Sequence, residues 1–452
     1  MIVTLWATEL FPIWATSLMI PVLVVWLRVY PDPNAHHAGG AGGDAPPPVM
    51  PSVYAVSIVF SKFFSSAVML ALGAFTMSAA LTKYEISDRL AFLVLSRVGR
   101  KPWVITLTVM FLGVFLSMWV SNVAAPVVVL SLVRPLLAGI PESDTFNKVL
   151  LMGIAFSNNI GGMTTPIASP QNIVAIQNIT SRPGETIGWG KWLIVALPYS
   201  ALCTFAAFVF LWVYYRPKLE EVPPIKPRKL KPFSWKHIFV LWVVFSTILL
   251  WALSGLTQEV TGENGITALL PVALFFGLKI MTKDDFKALS WDVLVLLGGG
   301  LVLGSAIDKS GLLSIIATYI SYVVKGQSSW VVMAAFASLT WFFGNFMSHT
   351  VAAIIITPII VHVACPGTGA CPPGANMVLL TVASVLIDSG AMALPMTSFP
   401  NAAAYNELKS DGLPYVDSGD FIKTGFPVGI IELIILFSAG FGLFQLWPAL
   451  HM

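Results

Sequence analysis

Charge is what this sequence has least of. Of its 452 residues only 10% are Asp, Glu, Lys or Arg, whereas 56% are hydrophobic; soluble domains carry about 25% charged residues. That excludes an ordinary soluble domain. The formal net charge of +3 is too small for a nucleic-acid surface, so no such partner is expected. Cysteine is scarce too. There are three: Cys203 in an apolar run, and Cys365 and Cys371 in "CPGTGACPPG", a segment compatible with a loop disulfide or with two free thiols. Also missing are an H-E-x-x-H motif, a G-x-S-x-G elbow and paired Asp within an apolar run. With neither a nucleophile–base pair nor a metal motif, an enzyme is not expected. The first apolar run has no basic n-region and no small-residue cleavage site, so it does not read as a cleavable signal peptide.

What is present is a series of long apolar runs, near 5–27, 63–82, 192–215, 237–256, 263–281, 291–308 and 424–447. Runs of about 20 residues can cross roughly 30 Å of hydrocarbon. The fold class expected is therefore an all-α polytopic protein of the lipid bilayer. Between the runs lie less regular zones. Residues 103–120 and 123–140 are apolar arms joined at "SNV", and 330–347 and 350–365 are arms joined at "SHT". Residues 149–180 and 376–407 are apolar but broken by Gly and Pro, most densely in "SNNIGGMTTPIASPQN" (157–172). The segments 86–101 and 311–326 read as interfacial helices, and 31–52 as a flexible low-complexity loop.

Lys and Arg set the orientation. Alternating the runs places 83–102, 141–148, 216–236, 279–287 and 409–423 on one side, and those segments hold 18 of the 25 basic residues. By the positive-inside rule that side, including the linker 216–236, is cytoplasmic, with the C-terminus outside or luminal. The membrane itself, plasma or vacuole-like organelle, is left open.

The two sides of the linker repeat one another. "AALTK" (79–83) matches "SAIDK" (305–309), Ser121 matches Ser348, and "PIASPQN" (166–172) matches "PMTSFPN" (395–401). The expected domains are a first repeat over 1–215, a basic linker over 216–236 and an inverted second repeat over 237–452. The run at 237–256 has no counterpart ahead of 5–27, so at least one leading helix is expected upstream. Non-helical backbone at membrane depth is tolerated only where it is buried in protein or lines a cavity. Paired breaks in two repeats point to a binding site between them. Helix N-termini there suit an anion, and carbonyl or hydroxyl oxygens suit Na⁺.

These motifs resemble the divalent anion/sodium symporters, over nearly the whole chain from "WATELFPIWATSLMIP" (6–21) onward. "SNVAAP", "SHTVAAI" and "SNNIGGMTTPIASPQN" are most similar to those of fungal and protist low-affinity phosphate transporters, which carry an N-terminal SPX domain and two helices ahead of "WATEL". The resemblance implies re-entrant hairpins and broken helices that move as a transport domain (about 103–180 and 330–407) against a dimeric scaffold, an elevator. It implies inorganic phosphate as substrate and Na⁺ as coupling ion, with no organic cofactor. A first cation site would use Ser117, Ser121 and Asn122 with the backbone at Ala168. The second would use the backbone at Met347 and Thr397 beside Ser348. The anion would lie among Asn122, Val123, Ser169, Pro170, Gln171, His349, Thr350 and Ser398.

Two departures from the family pattern stand out. Val123 occupies the place of a Thr and His349 that of an Asn. Imidazole is a poor Na⁺ ligand, so His349 is read as a hydrogen-bond partner of phosphate, as a titrating coupling group, or as a tip residue bonded to a carbonyl. Asp388 falls at the repeat position of Asn159. A carboxylate at that depth is a candidate for a cation or a proton, or for a helix cap bonded to Ser389. Asp292 and Asp308 read as interfacial. The expected function is Na⁺-coupled phosphate transport. The alternatives are a dicarboxylate, citrate or sulfate carrier of the same fold, and an anion channel.

Overall fold

The structure, a computed structural model, describes all residues except 1, 3–4, 7–9, 32–48, 224–231, 325, 367–375 and 447–452. Most of the loop 31–52, part of the basic linker, and Cys371 lie outside the described residues. Cys365 is disulfide-bonded and Cys203 is a buried free thiol.

The described chain is helical, with two isolated β-bridges. In order, α1 (Ile13–Trp26), α2 (Ser52–Phe63), α3 (Ser66–Lys83) and α4 (Ile86–Leu95) lead to the first hairpin, α5 (Pro102–Trp119) and α6 (Ala124–Leu137). Then come α7 (Phe146–Thr164), α8 (Pro170–Thr180) and α9 (Trp189–Tyr215). Beyond the linker lie α10 (Trp235–Ala252), α11 (Ser254–Thr261), α12 (Asn264–Gly277), α13 (Lys283–Lys287), α14 (Trp291–Lys309) and α15 (Leu312–Val324). The second hairpin, α16 (Ser329–Gly344) and α17 (His349–Ala364), is followed by α18 (Met377–Asp388), α19 (Phe399–Tyr405) and α20 (Ser418–Ile435).

Six helical segments among the described residues are long and apolar enough to cross a membrane: 52–83, 102–119, 189–215, 235–252, 291–309 and 418–444. This differs from the spans expected in four places. The runs at 5–27 and 263–281 yield only the 14-residue helices α1 and α12. Residues 52–63, which carry no expected element between the loop and the run at 63–82, form helix α2, which runs into α3 through a bend where Ser65 turns extended. The arm 102–119 is long enough to span by itself.

Both hairpins form as their sequences suggest. Pro102 sits in the first turn of α5, where its missing N–H breaks no helical bond. The first break is much shorter than its Gly content suggests. Helix α7 continues through Asn158, Asn159, Gly161 and Gly162, and stops only at Thr165, whose extended conformation suits a residue preceding proline. Ser157 and Asn158 both donate to the carbonyl of Ile154 on their own helix, while Asn158 Oδ1 is buried without a hydrogen-bond partner among the described residues. Residues 165–169 form the break. The second break is longer, 389–398, with a 3₁₀ turn at Pro395–Thr397.

Packing across the linker is reciprocal. Helix α5 lies on α7 and α16 on α18, while α8 packs on α17 and α19 on both α6 and α7. Elsewhere α3 lies against α12, and α14 against α1 and α2. The α3–α12 crossing needs Gly73, where a methyl group would fall 2.7 Å from Ala268 Cβ. Three cross-linker ion pairs tie the basic side together: Lys83–Asp285, Arg134–Glu407 and Lys148–Asp420, at 2.5, 2.6 and 2.7 Å.

Candidate functional site

A cavity of about 430 Å³ lies where the two hairpin tips meet the two breaks. Asn122 and Val123 reach it from the first tip, and Pro170 and Gln171 from the start of α8. Ser348, His349 and Thr350 come from the second tip, and Thr397 and Ser398 from the second break. Nine of the residues expected at the site thus line one space. The facing wall is Ile13 and Trp14 of α1 with Asp292, Val293 and Leu296 of α14.

The position of these residues on their helices matters more than their side chains. Val123, Ser169, Ser348 and Ser398 are the N-cap residues of α6, α8, α17 and α19. Four helix N-termini therefore converge on the cavity, each with the positive end of a dipole; at α6 the first N–H groups are taken by Ser121, whereas no hydrogen bond is seen for those of His349 and Thr350 at α17 among the described residues. Among the described residues no Lys or Arg lines the cavity, and Asp292 is its one formally charged residue. Asp292 was expected to be interfacial. It is exposed, and it also forms part of the cavity rim.

Each break is pinned by an asparagine three residues past its N-cap serine. Asn172 Nδ2 donates to the carbonyls of Gly162 and Thr165, both at 2.8 Å. Asn401 Nδ2 donates to those of Met392 and Leu394, at 3.1 and 2.9 Å. Asn401 Oδ1 also accepts from Asn159 Nδ2 at 2.8 Å, joining the two breaks. The indole N–H groups of Trp192 and Trp341 bind the carbonyls of Met163 and Gly390. Asparagine at both positions was visible in the matched motifs, but which carbonyls it would close was not.

The first tip is strained. Ser121 has φ 138, and its Oγ accepts from the N–H groups of Val123 (3.1 Å) and Ala124 (3.5 Å). The Asn122 N–H donates to Ala168 O at 3.3 Å, and the Asn122 side chain has no protein hydrogen bond among the described residues. Ser117 lies one turn below and donates to Asn158 O at 2.8 Å. Ser169 is fully packed, and its Oγ has no protein partner. A methyl group at Gly162 would fall 2.5 Å from Ser169 Oγ and 3.2 Å from Asn122 Cβ, so glycine here gives both side chains their room. The residues expected for the first cation site are therefore gathered at one place.

The second tip is built differently. The chain turns at 345–348, so His349 and Thr350 open α17 and are not part of the loop. His349 Nε2 lies 3.0 Å from Ala391 O, and Asn345 Oδ1 accepts the Ala393 N–H at 2.8 Å. The Thr397 hydroxyl donates to Leu394 O and accepts from Asn401 Nδ2. Met347 is partly buried beside the cavity wall residue Ser348. Gln171 lines the cavity and binds Ser389 Oγ at 3.1 Å.

Asp388 is not in the cavity. It is completely buried against Gly344, and neither carboxylate oxygen has a protein partner, Ser389 included. A second such carboxylate, Glu432 of α20, packs against Gly390 with both oxygens unpartnered. Its signal was a lone acid in the apolar run "GIIELII".

Val123 and Ser290 line this cavity and also a neighbouring one of about 400 Å³ that contains Lys83 and Asp285. The site therefore adjoins the cavity beside the Lys83–Asp285 pair. Burial pushes the Asp285 carboxyl up, but hydrogen bonds from Lys83 and Thr282 outweigh it and hold the group below its ordinary value.

Residues 3–387 match the family described as citrate transporter (CitMHS). An uncharacterized transporter of Schizosaccharomyces pombe is 38% identical, over 97% of this chain and 48% of its own length. The inorganic phosphate transporter PHO87 of Saccharomyces cerevisiae is 35% identical, over 97% of this chain and 45% of its own. The sodium-dependent dicarboxylate transporter SdcS of Staphylococcus saprophyticus is 25% identical, over 96% of this chain and 83% of its own. Among solved structures, the YdaH transporter of Alcanivorax borkumensis aligns with a TM-score of 0.57 at 14% identity, over 96% of this chain and 98% of that one. The chain spans about half the length of the fungal relatives it matches. With six apolar segments able to cross a bilayer, this is a multi-pass membrane protein, and the chain belongs to the citrate transporter family.

Proposed function

We propose that this chain is the membrane domain of a secondary active transporter for inorganic phosphate, carried as HPO₄²⁻. The observation that carries the reading is the cavity at four helix N-termini with no basic side chain in it. Main-chain N–H groups and dipoles attract an anion and release it more readily than a salt bridge would. The relationship to PHO87 over nearly the whole chain favours phosphate.

His349 supports the same choice. A carbonyl can only accept, so the ring nitrogen facing Ala391 O carries the proton, and in the neutral ring the other nitrogen is an acceptor. HPO₄²⁻ brings a P–OH donor to meet it. Sulfate and fully ionised dicarboxylates bring none. The second reading, citrate or another dicarboxylate, rests on the family description and on SdcS.

Na⁺ is the proposed coupling ion, with Ser117, Ser121, Asn122 and Ala168 as the first cation site and Met347, Ser348 and Thr397 as the second. Asp388 is a further coupling group. The transport body comprises about 103–180 and 330–407, and the reciprocal packing of the two halves is what inverted repeats would give. It moves as an elevator against a scaffold through which the protein dimerises. The basic face is cytoplasmic.

The test is radiolabelled phosphate uptake into proteoliposomes, with and without an inward Na⁺ gradient, with succinate, citrate and sulfate as competitors. Saturable uptake that requires Na⁺ and is blocked by phosphate alone is expected. Succinate uptake would move the protein to the dicarboxylate reading, and non-saturating flux would make it a channel.

A further inference from the structure

A second polar cavity lies at the other end of the molecule. It encloses about 200 Å³ between α8 and α17 on one side and α14 and the α2–α3 bend on the other. Three cations line it: Lys62 from the end of α2, Lys309 from the end of α14, and Arg182 just past α8. Asn178 and Ser181 add polar groups, and Asp308 is the one acid.

The groups are arranged so that positive charge dominates. Asp308 faces His362 Nδ1 at 3.5 Å, and Arg182 Nη2 approaches the same nitrogen at 3.4 Å. The Lys309 ammonium lies 5.4 Å from the centre of the Tyr30 ring, and no ion pair with a carboxylate is seen for it among the described residues. A compact cavity with three cations and one acid matches a small multivalent oxyanion; its size is below the range typical of drug-sized ligands. The central cavity offers the reverse: no cation and one acid, Asp292.

The two cavities share helices α8, α14 and α17. Along α14, Val293 and Leu296 face the central site, while Gly300, Gly304, Ser305 and Asp308 face the second cavity one turn onward. Between them Ile354 of α17 fills the space over Gly300 so closely that a methyl group there would collide with it.

We propose that this cavity is a capture site for a phosphate-type oxyanion on the face opposite the basic one, where the anion waits before the central site is presented to it. The inference rests on the proposed function for the identity of the anion. The same chemistry would accept a lipid phosphate, and we commit to free inorganic phosphate.

Two measurements test this on the full chain and its Lys62→Gln/Lys309→Gln variant. The first is equilibrium binding of radiolabelled phosphate to protein in phospholipid-free detergent. A second, weaker binding equivalent is expected, weakened roughly tenfold in the variant. A single equivalent indifferent to both substitutions overturns the proposal whether or not the protein transports phosphate. So does a second equivalent that disappears when phospholipid is added back, since the lipid head group would then be the occupant. The second measurement is uptake kinetics against ionic strength. The variant should show a raised KM at low salt that converges on the unaltered protein at high salt, with kcat unchanged. A fall in kcat with KM unchanged would mean that the lysines hold the two bodies together, and would also overturn it. Failure of the unaltered protein to take up phosphate would sink the proposed function, while the binding result still decides this one.

Discussion

The two hairpin tips occupy matching places but are fastened by different chemistry. At the first, the tip contributes only backbone: the Asn122 N–H to Ala168 O, helped by the Thr165 hydroxyl reaching back from the break to Met118 O at 2.7 Å. At the second, the hairpin contributes side chains, Asn345, His349 and Trp341, to the backbone of Ala393, Ala391 and Gly390. The difference frees the Asn122 side chain for the cavity and divides the His349 ring between structure and cavity. One tip thus leaves a side-chain amide at the cavity, and the other spends its side chains on holding the break.

That comparison can be broken by substitution. The largest effect is expected at the pin common to both breaks. Asn401→Ala strands two carbonyls and the Asn159 amide, at about 1–3 kcal/mol for each buried group left unpaired. Thermal denaturation in detergent should show a large fall in Tm, with phosphate uptake lost. Asn172→Ala should cost less, because Asn172 makes no bond to the other break. Equal losses at the two would remove the significance of the Asn159–Asn401 link.

Next is the second tip. Asn345→Ala leaves the buried Ala393 N–H unpaired, a loss of about 2 kcal/mol, and should lower Tm clearly. The first tip should behave in the opposite way. Asn122→Ala should change stability by less than about 0.5 kcal/mol and raise KM for phosphate uptake about tenfold, as for one lost ligand hydrogen bond. If Asn122→Ala lowers Tm as much as Asn345→Ala, the division of labour is wrong.

The smallest effect belongs to the basic face. Asp285→Asn breaks the Lys83 pair, whose side chains are 32% and 26% exposed, so about 1 kcal/mol or less is at stake at neutral pH. Because Asp285 is held below its ordinary value of 3.8, its contribution is complete above that value. It fades as the pH falls through the lower, folded value. The Tm difference between Asp285→Asn and the unaltered protein should therefore shrink in strong acid and stay constant from pH 5 to 8.

Much of the site was legible before any coordinates. Proline and glycine mark breaks because they remove donors or open backbone space, and the matched serines and asparagines fell at equal spacing because the two halves face the same task. What was hidden was conditional on packing. The Gly161–Gly162 pair stays helical because α5 and Ser169 press against it, which no local propensity records. Helix α2 was hidden by the polar residues before it. The His349 ring could be assigned to anion, proton or carbonyl until Ala391 was seen opposite it.

Helices α1 and α12, at 14 residues each, are only about 21 Å long, well short of the roughly 30 Å of a typical hydrocarbon core. Lipid beside them must thin, or their flanks must reach up to the head groups. The bilayer then becomes a working part of the machine. On the proposed function, thicker bilayers strain the wall of the central cavity that bears Ile13 and Trp14, so turnover should fall with acyl-chain length even with every residue of the candidate site unchanged.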